Sequence, residues 1–309
     1  MNELIDFSHT LIFAMRDALT PLISWEAINS FCNSTFTTSL VGALAGAFAG
    51  AVAAQNVADK SKRRDELIKE IRNTNTAIAL TFSIFNLMFA IKKQCVAALK
   101  INYDEEKDRY LNYHAKLNNG QHQNLEPYAL KFDLRGMSVT SPPTKVLQDI
   151  VFTALSSIGR PVNLVAALEE AVGNLNISIT KRNELIALFR TEQFPEGADF
   201  EHMYLGVPYR DGHINQEYGD IVAAIASYTD DAIFFSRLLC QDLREHGLKI
   251  SSNFERLTKD RSPRITEVDF KLDRYDELLP AEEQYATWFT AFKPVQEPKP
   301  SRWWKRKIQ

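Results

Sequence analysis

From Phe36 to Ala58 the chain runs for 23 residues without a charge, and at the centre of this run, Leu40 to Ala54, it reads LVGALAGAFAGAVAA. About 20 helical residues span a hydrocarbon core of roughly 30 Å, so the run predicts one transmembrane helix over 36–58. It is rich in Ala and Gly and only moderately hydrophobic, and a tightly packed soluble helix is the competing reading. Gly42, Gly46 and Gly50 recur every four residues and fall on one side. In a soluble helix each glycine costs about 1 kcal/mol relative to alanine, whereas in lipid such a strip lets a second helix approach closely. The strip predicts association between spans and hence a homo-oligomer.

Beyond the run the pattern turns amphipathic. KSKRRDELIKEIRN carries Leu67, Ile68 and Ile71 on one side, and neither Gly nor Pro occurs in the 69 residues from Ala51 to Asn119. The transmembrane helix should therefore continue as a stalk that meets partner helices. A second apolar run, Ala77 to Ile91, holds 15 residues with Thr81, Ser83 and Asn86 among them and ends at Lys92 and Lys93. That length suits a core helix, with a two-span hairpin as the alternative.

Tyr128 to Val139 alternates apolar and polar residues, which predicts a short extended stretch closed by Pro142 and Pro143. Helical periodicity returns over 145–158 and again from Asn163 to Arg190, where Leu164, Leu168, Ala171, Leu175, Ile179, Ile186 and Phe189 make a packing face. The strongest helical pattern spans 216–246, with Ile221, Ile225, Tyr228, Ala232, Phe235 and Leu239 inward and Gly247 as its stop. A turn at Ser262 and Pro263 and a short aromatic helix from Ala281 to Phe292 follow. The expected fold class is mainly α: a single-pass transmembrane helix continuing into a helical cytoplasmic bundle, with at most a minor extended segment.

Charge sets the orientation. Residues 1–35 contain Arg16 against Glu3, Asp6, Asp17 and Glu26, while Lys60, Lys62, Arg63 and Arg64 follow the span directly. The basic flank stays inside, so the N-terminus is expected outside and the domain in the cytoplasm of a bacterial inner membrane. A cleaved signal peptide fits poorly, because the region before the apolar run is long and acidic, although AVAA at 51–54 resembles a cleavage site. The chain divides into an extracytoplasmic or interfacial segment (1–35), the span (36–58), a helical domain with its stalk (59–292) and a Pro-rich tail (293–309). In that tail Trp303 and Trp304 beside Lys305, Arg306 and Lys307 suit the anionic inner leaflet, the alternative being a solubilising extension.

A net charge of −3 gives no field for general nucleic-acid binding. Cys32, Cys95 and Cys240 are far apart with no C-x-x-C pair, so neither a zinc site nor a disulfide framework is expected. The polar loop YLGVPYRDGHINQEYGD at 204–220 is the one candidate for recognition chemistry: Asp211, His213, Glu217 and Asp220 offer oxygen and nitrogen ligands, with His213 and Glu217 at i, i+4 if the helix starts early. A capped helix start explains the same residues. Asp230 and Asp231, inside the helix, read as a solvated face. There is no Walker loop, dinucleotide glycine motif, nucleophile elbow or kinase signature, and no cofactor is expected.

The segments TSLVGALAGAFAGAVAAQ, KRRDELIKEIRNTNTAI, GRPVNLVAAL, LGVPYRDGHINQEYGD and TDDAIFFSRLLCQDLREHG, within about residues 38–247, resemble an uncharacterised group of bacterial membrane proteins. The resemblance implies an N-terminal span followed by a cytoplasmic helical region, and similar membrane proteins occur among phage-defence effectors. The leading expectation is a non-enzymatic sensor and effector with the lipid bilayer and a cytoplasmic protein as partners, self-associating through its span to perturb the membrane. A membrane-tethered adaptor or scaffold is the alternative, and a hydrolase using the 204–220 loop is the third class.

Overall fold

The computed structural model describes residues 35–120, 126–270 and 278–292. Helix α1 spans Thr35–Ile91, a π-helical turn occupies Lys92–Val96, and α2 continues over Ala97–Asn118. The absence of Gly and Pro after residue 50 accounts for this length, since no residue there lacks an amide donor or frees the backbone. Then come α3 (Thr144–Thr153), α4 (Arg160–Thr191), α5 (Phe200–Leu205), a 3₁₀ turn at Arg210–Gly212, α6 (Glu217–Thr258), a 3₁₀ turn at Glu282–Tyr285 and α7 (Ala286–Thr290). No strand occurs among the described residues, and the protein is mainly α.

Contacts divide the chain between Asp65 and Glu66. In the second unit, α4 and α6 make the most extensive helix pair, with α3 against α4 and both α2 and α5 against α6. The main core collects Ile78, Ile84, Phe85 and Met88 from the later part of α1, Leu147 and Val151 from α3, Leu168 and Leu175 from α4, and Ile225, Ile233 and Leu239 from α6. A second cluster is aromatic: Tyr103, Tyr110, Phe189, Tyr204 and Tyr218.

The run Ala77–Ile91 is thus a core helix, as its length predicted. Its polar Thr81 is fully buried and donates to the Ala77 carbonyl at 2.7 Å, so the hydroxyl is satisfied within its own helix. The face predicted for Asn163–Arg190 is buried throughout. Leu67, Ile68 and Ile71 also find their partner helix in the same chain, against Ile250 and Phe254 of α6.

Three expectations need correction. Gly247 does not stop α6, which runs on to Thr258 and closes at Lys259 in the left-handed region with φ 67°. Gly247 instead makes room: a Cβ there would lie 3.0 Å from Ile265 Cγ2 and 3.1 Å from Thr74 Cγ2. Helix α3 ends at Thr153, short of 158, so Ser156 and Ser157 lie in the turn before α4. Asp230 and Asp231 are not a solvated face: Lys92 Nζ lies 2.5 Å from Asp230, and Tyr285 donates to Asp231 at 2.7 Å. The stretch 128–139, read from its alternation as extended, lies outside every helix and strand among the described residues.

Candidate functional site

The first candidate site is the surface of α1 itself. From Ser39 to Glu66 every residue is exposed, including Leu44 at 62%, Phe48 at 74% and Val57 at 69%. The helix is long and apolar enough to cross a membrane, and none of its most apolar stretch is buried. Burying Leu40, Val41, Leu44, Phe48, Val52 and Val57 would gain on the order of 10 kcal/mol. A Cβ added to Gly42, Gly46 or Gly50 would meet nothing within 4 Å, so no intrachain contact among the described residues requires these glycines. Lys60, Lys62, Arg63 and Arg64 are all exposed directly after the apolar stretch. Trp303, Trp304, Lys305, Arg306 and Lys307 lie outside the described residues, as do Cys32 and the N-terminal segment up to Ser34.

The 204–220 loop does not assemble a ligand set. Asp199 caps α5 by accepting from the His202 amide at 3.2 Å, and Gly206 ends that helix at φ 64°. The chain then turns at Arg210–Gly212, with Asp211 at φ 57°, and α6 begins only at Glu217. His213, extended and outside the helix, therefore shares no helical face with Glu217. Asp211, His213 and Glu217 are all exposed, and no group of three metal-ligating side chains occurs among the described residues.

A second site, absent from the sequence reading, runs along α4. Asn176, Asn183 and Arg190 stand seven residues apart and grip the strap of residues 126–143. Asn183 accepts from the Met137 amide at 3.0 Å and donates to the Met137 carbonyl at 2.7 Å. Asn176 treats Thr140 the same way, at 2.9 and 2.8 Å, and Arg190 donates to the Leu134 carbonyl at 2.9 Å. Seven helical residues rise about 10.5 Å, and three residues of extended chain cover about 9–10 Å. The two repeats nearly match, so every second turn of α4 meets every third residue of the strap. That period of three is the physical alternative to the period of two predicted from the alternation.

Arg182, beside Asn183, is 1% exposed. Its two terminal nitrogens donate to the carbonyls of Arg135 at 2.8 Å and Asp133 at 3.0 Å, its Nε has no hydrogen-bond partner among the described residues, and its guanidinium lies 5.7 Å from the ring centre of Tyr218. From α2, the buried Glu106 accepts from Tyr128 Oη at 2.6 Å and the Lys131 amide at 2.9 Å, while Arg109 donates to the Ala129 carbonyl at 2.7 Å. Burial pushes the Glu106 carboxyl up, but the bonds from Arg109, Tyr128 and Lys131 outweigh it and hold the group below its ordinary range. The sequence signal for this track was present in the heptad spacing of Asn176, Asn183 and Arg190 beside an apolar stripe, but nothing in it named the strap as the target.

A third polar junction ties three elements. Glu70 of α1 accepts from the Ser156 amide at 2.8 Å and its hydroxyl at 2.6 Å, and His246 Nε2 of α6 lies 3.0 Å from the same oxygen. Both Ser156 and His246 are spent on Glu70, so this is a structural tie and not a nucleophile with its base.

Comparison with known protein families, with curated proteins and with solved structures finds no match to the chain.

Proposed function

We propose that the protein is a membrane-anchored, non-enzymatic sensor and effector. Residues 36–58 of α1 span a bacterial inner membrane, the basic flank from Lys60 to Arg64 holds the domain on the cytoplasmic side, and Gly42, Gly46 and Gly50 pack against the span of a second copy. The observation that carries this reading is the bare apolar surface of α1, for which lipid is the solvent that removes the penalty. The unoccupied glycine strip supports close helix association, because in an isolated helix those residues only destabilise. Coupled through association of the spans, the domain would alter membrane integrity in phage defence, the class to which the sequence resemblance points.

Alkaline carbonate extraction of the expressed protein tests the anchor: the full chain should stay in the membrane pellet, and release into the supernatant would end the reading. Gly46→Leu should weaken crosslinking between copies and reduce depolarisation in a membrane-potential dye assay. Crosslinking intact alongside a silent dye assay would favour the tethered adaptor, whose specific support is the main-chain-reading track on the domain.

A further inference from the structure

Along α4 the strap is held through its backbone. The α4 track engages the carbonyls of Asp133, Leu134, Arg135, Met137 and Thr140 and the amides of Met137 and Thr140, while no residue from 126 to 143 is fully buried. Phe132 and Val139 are 56% and 58% exposed; Tyr128, Leu130, Leu134 and Met137 pack partly buried against the aromatic cluster, and of these Leu134 and Met137 lie within 133–140, the part that α4 holds. What the track reads is the spacing of amides and carbonyls, and any extended chain repeats that spacing. Segments with few buried apolar contacts open at the lowest free energy in a fold, so the strap can leave while α4 and α6 remain packed.

Arg182 adds the second half of the argument. Its guanidinium is buried, one nitrogen has no partner among the described residues, and the acceptors of its other two nitrogens are strap carbonyls. An empty track would strand that cation, which disfavours vacancy and favours exchange of one extended chain for another.

We propose that the track on α4, bounded by Asn176, Arg182, Asn183 and Arg190, is a binding site for an extended polypeptide segment of a partner protein, and that the strap is its resident competitor. The partner segment has free amides and carbonyls at every third residue and two aliphatic side chains three positions apart, matching Leu134 and Met137. Main-chain bonds supply the affinity and the two aliphatic positions the register, the mode in which extended peptides are generally recognised. This inference concerns the helical domain and does not depend on the membrane reading.

The test uses the full chain in detergent and a fluorescent synthetic peptide carrying residues 127–141. Anisotropy should show saturable binding, and hydrogen exchange should show the strap amides of Met137 and Thr140 losing protection as the peptide binds. A peptide N-methylated at the positions of Met137 and Thr140 should bind roughly tenfold more weakly or worse, since it lacks both donors to the asparagines. Asn176→Ala with Asn183→Ala should weaken the parent peptide similarly. Absence of saturable binding, or binding that leaves the strap amides protected or ignores N-methylation, would overturn the proposal and leave the strap a permanent staple.

Discussion

Asn183 grips Met137 through both halves of its amide, and so gives an extended segment the two hydrogen bonds that a neighbouring strand would otherwise supply. Asn75 repeats the device elsewhere, accepting from the Thr266 amide at 2.8 Å and donating to the Arg264 carbonyl at 2.9 Å. Asparagine amides thereby satisfy backbone groups in two connections where no strand lies among the described residues. Asn183→Ala should lower stability by about 1–2 kcal/mol, the net worth of two partly exposed bonds. Amide exchange should quicken at Met137 before it quickens in α4; uniform change across the domain would contradict a local role.

Arg182 is expected to be irreplaceable by lysine. Its two terminal nitrogens reach two different carbonyls, a fork that a single ammonium does not reproduce. Arg182→Met should destabilise by about 1–3 kcal/mol, removing the donor to the part-buried Arg135 carbonyl and one of the two donors to the Asp133 carbonyl, which keeps Tyr218 Oη at 3.3 Å, and Arg182→Lys should recover less than half of that loss in a thermal melt.

Gly219 should respond to alanine with the opposite sign from an ordinary helical glycine. Replacing a helix-interior glycine usually gains about 1 kcal/mol, but a Cβ here would collide with the Tyr103 hydroxyl, which donates to the Leu205 carbonyl at 3.2 Å. Overpacking of this kind costs about 1–3 kcal/mol. Gly219→Ala should therefore lower the melting temperature, and part of the loss should vanish in a Tyr103→Phe background. Additive effects of the two changes would show that the collision is not the cause.

Acid should loosen the junction at Glu70. Burial raises this carboxyl, but bonds from the Ser156 hydroxyl and amide and from His246 outweigh it, so its folded value lies below the ordinary 4.5. Its contribution is present above 4.5 and is lost as pH falls through the lower folded value. Glu70→Gln should be less stable than the parent at neutral pH and should lose less on acidification. Parallel stability curves for the two proteins below pH 4.5 would remove Glu70 from the acid response.

The described cysteines should differ in reactivity. Cys95 is exposed in the π-turn, whereas Cys240 is buried and its thiol is pushed up to about 12. In a Cys32→Ser background, maleimide at neutral pH should label Cys95 quickly and Cys240 only on unfolding, because the thiolate is the reactive form. Equal labelling rates in the folded protein would contradict the burial of Cys240.

The pattern of apolar residues was enough to read the mainly α class, the long helix from the apolar run into the domain, and the buried faces of α4 and α6, because each is a local periodicity. The bare α1 stretch was equally legible, since 23 uncharged residues need no distant partner to be recognised. Tertiary structure decided what depends on residues far apart in the chain. Gly247 looked like a stop until Thr74 and Ile265 came against it, Asp230 and Asp231 looked solvated until Lys92 and Tyr285 reached them, and the extended stretch 128–139 had no visible partner until α4 supplied asparagines at a matching rise. Periodicity reports which side of an element faces inward; only the packed fold determines which distant groups meet it there.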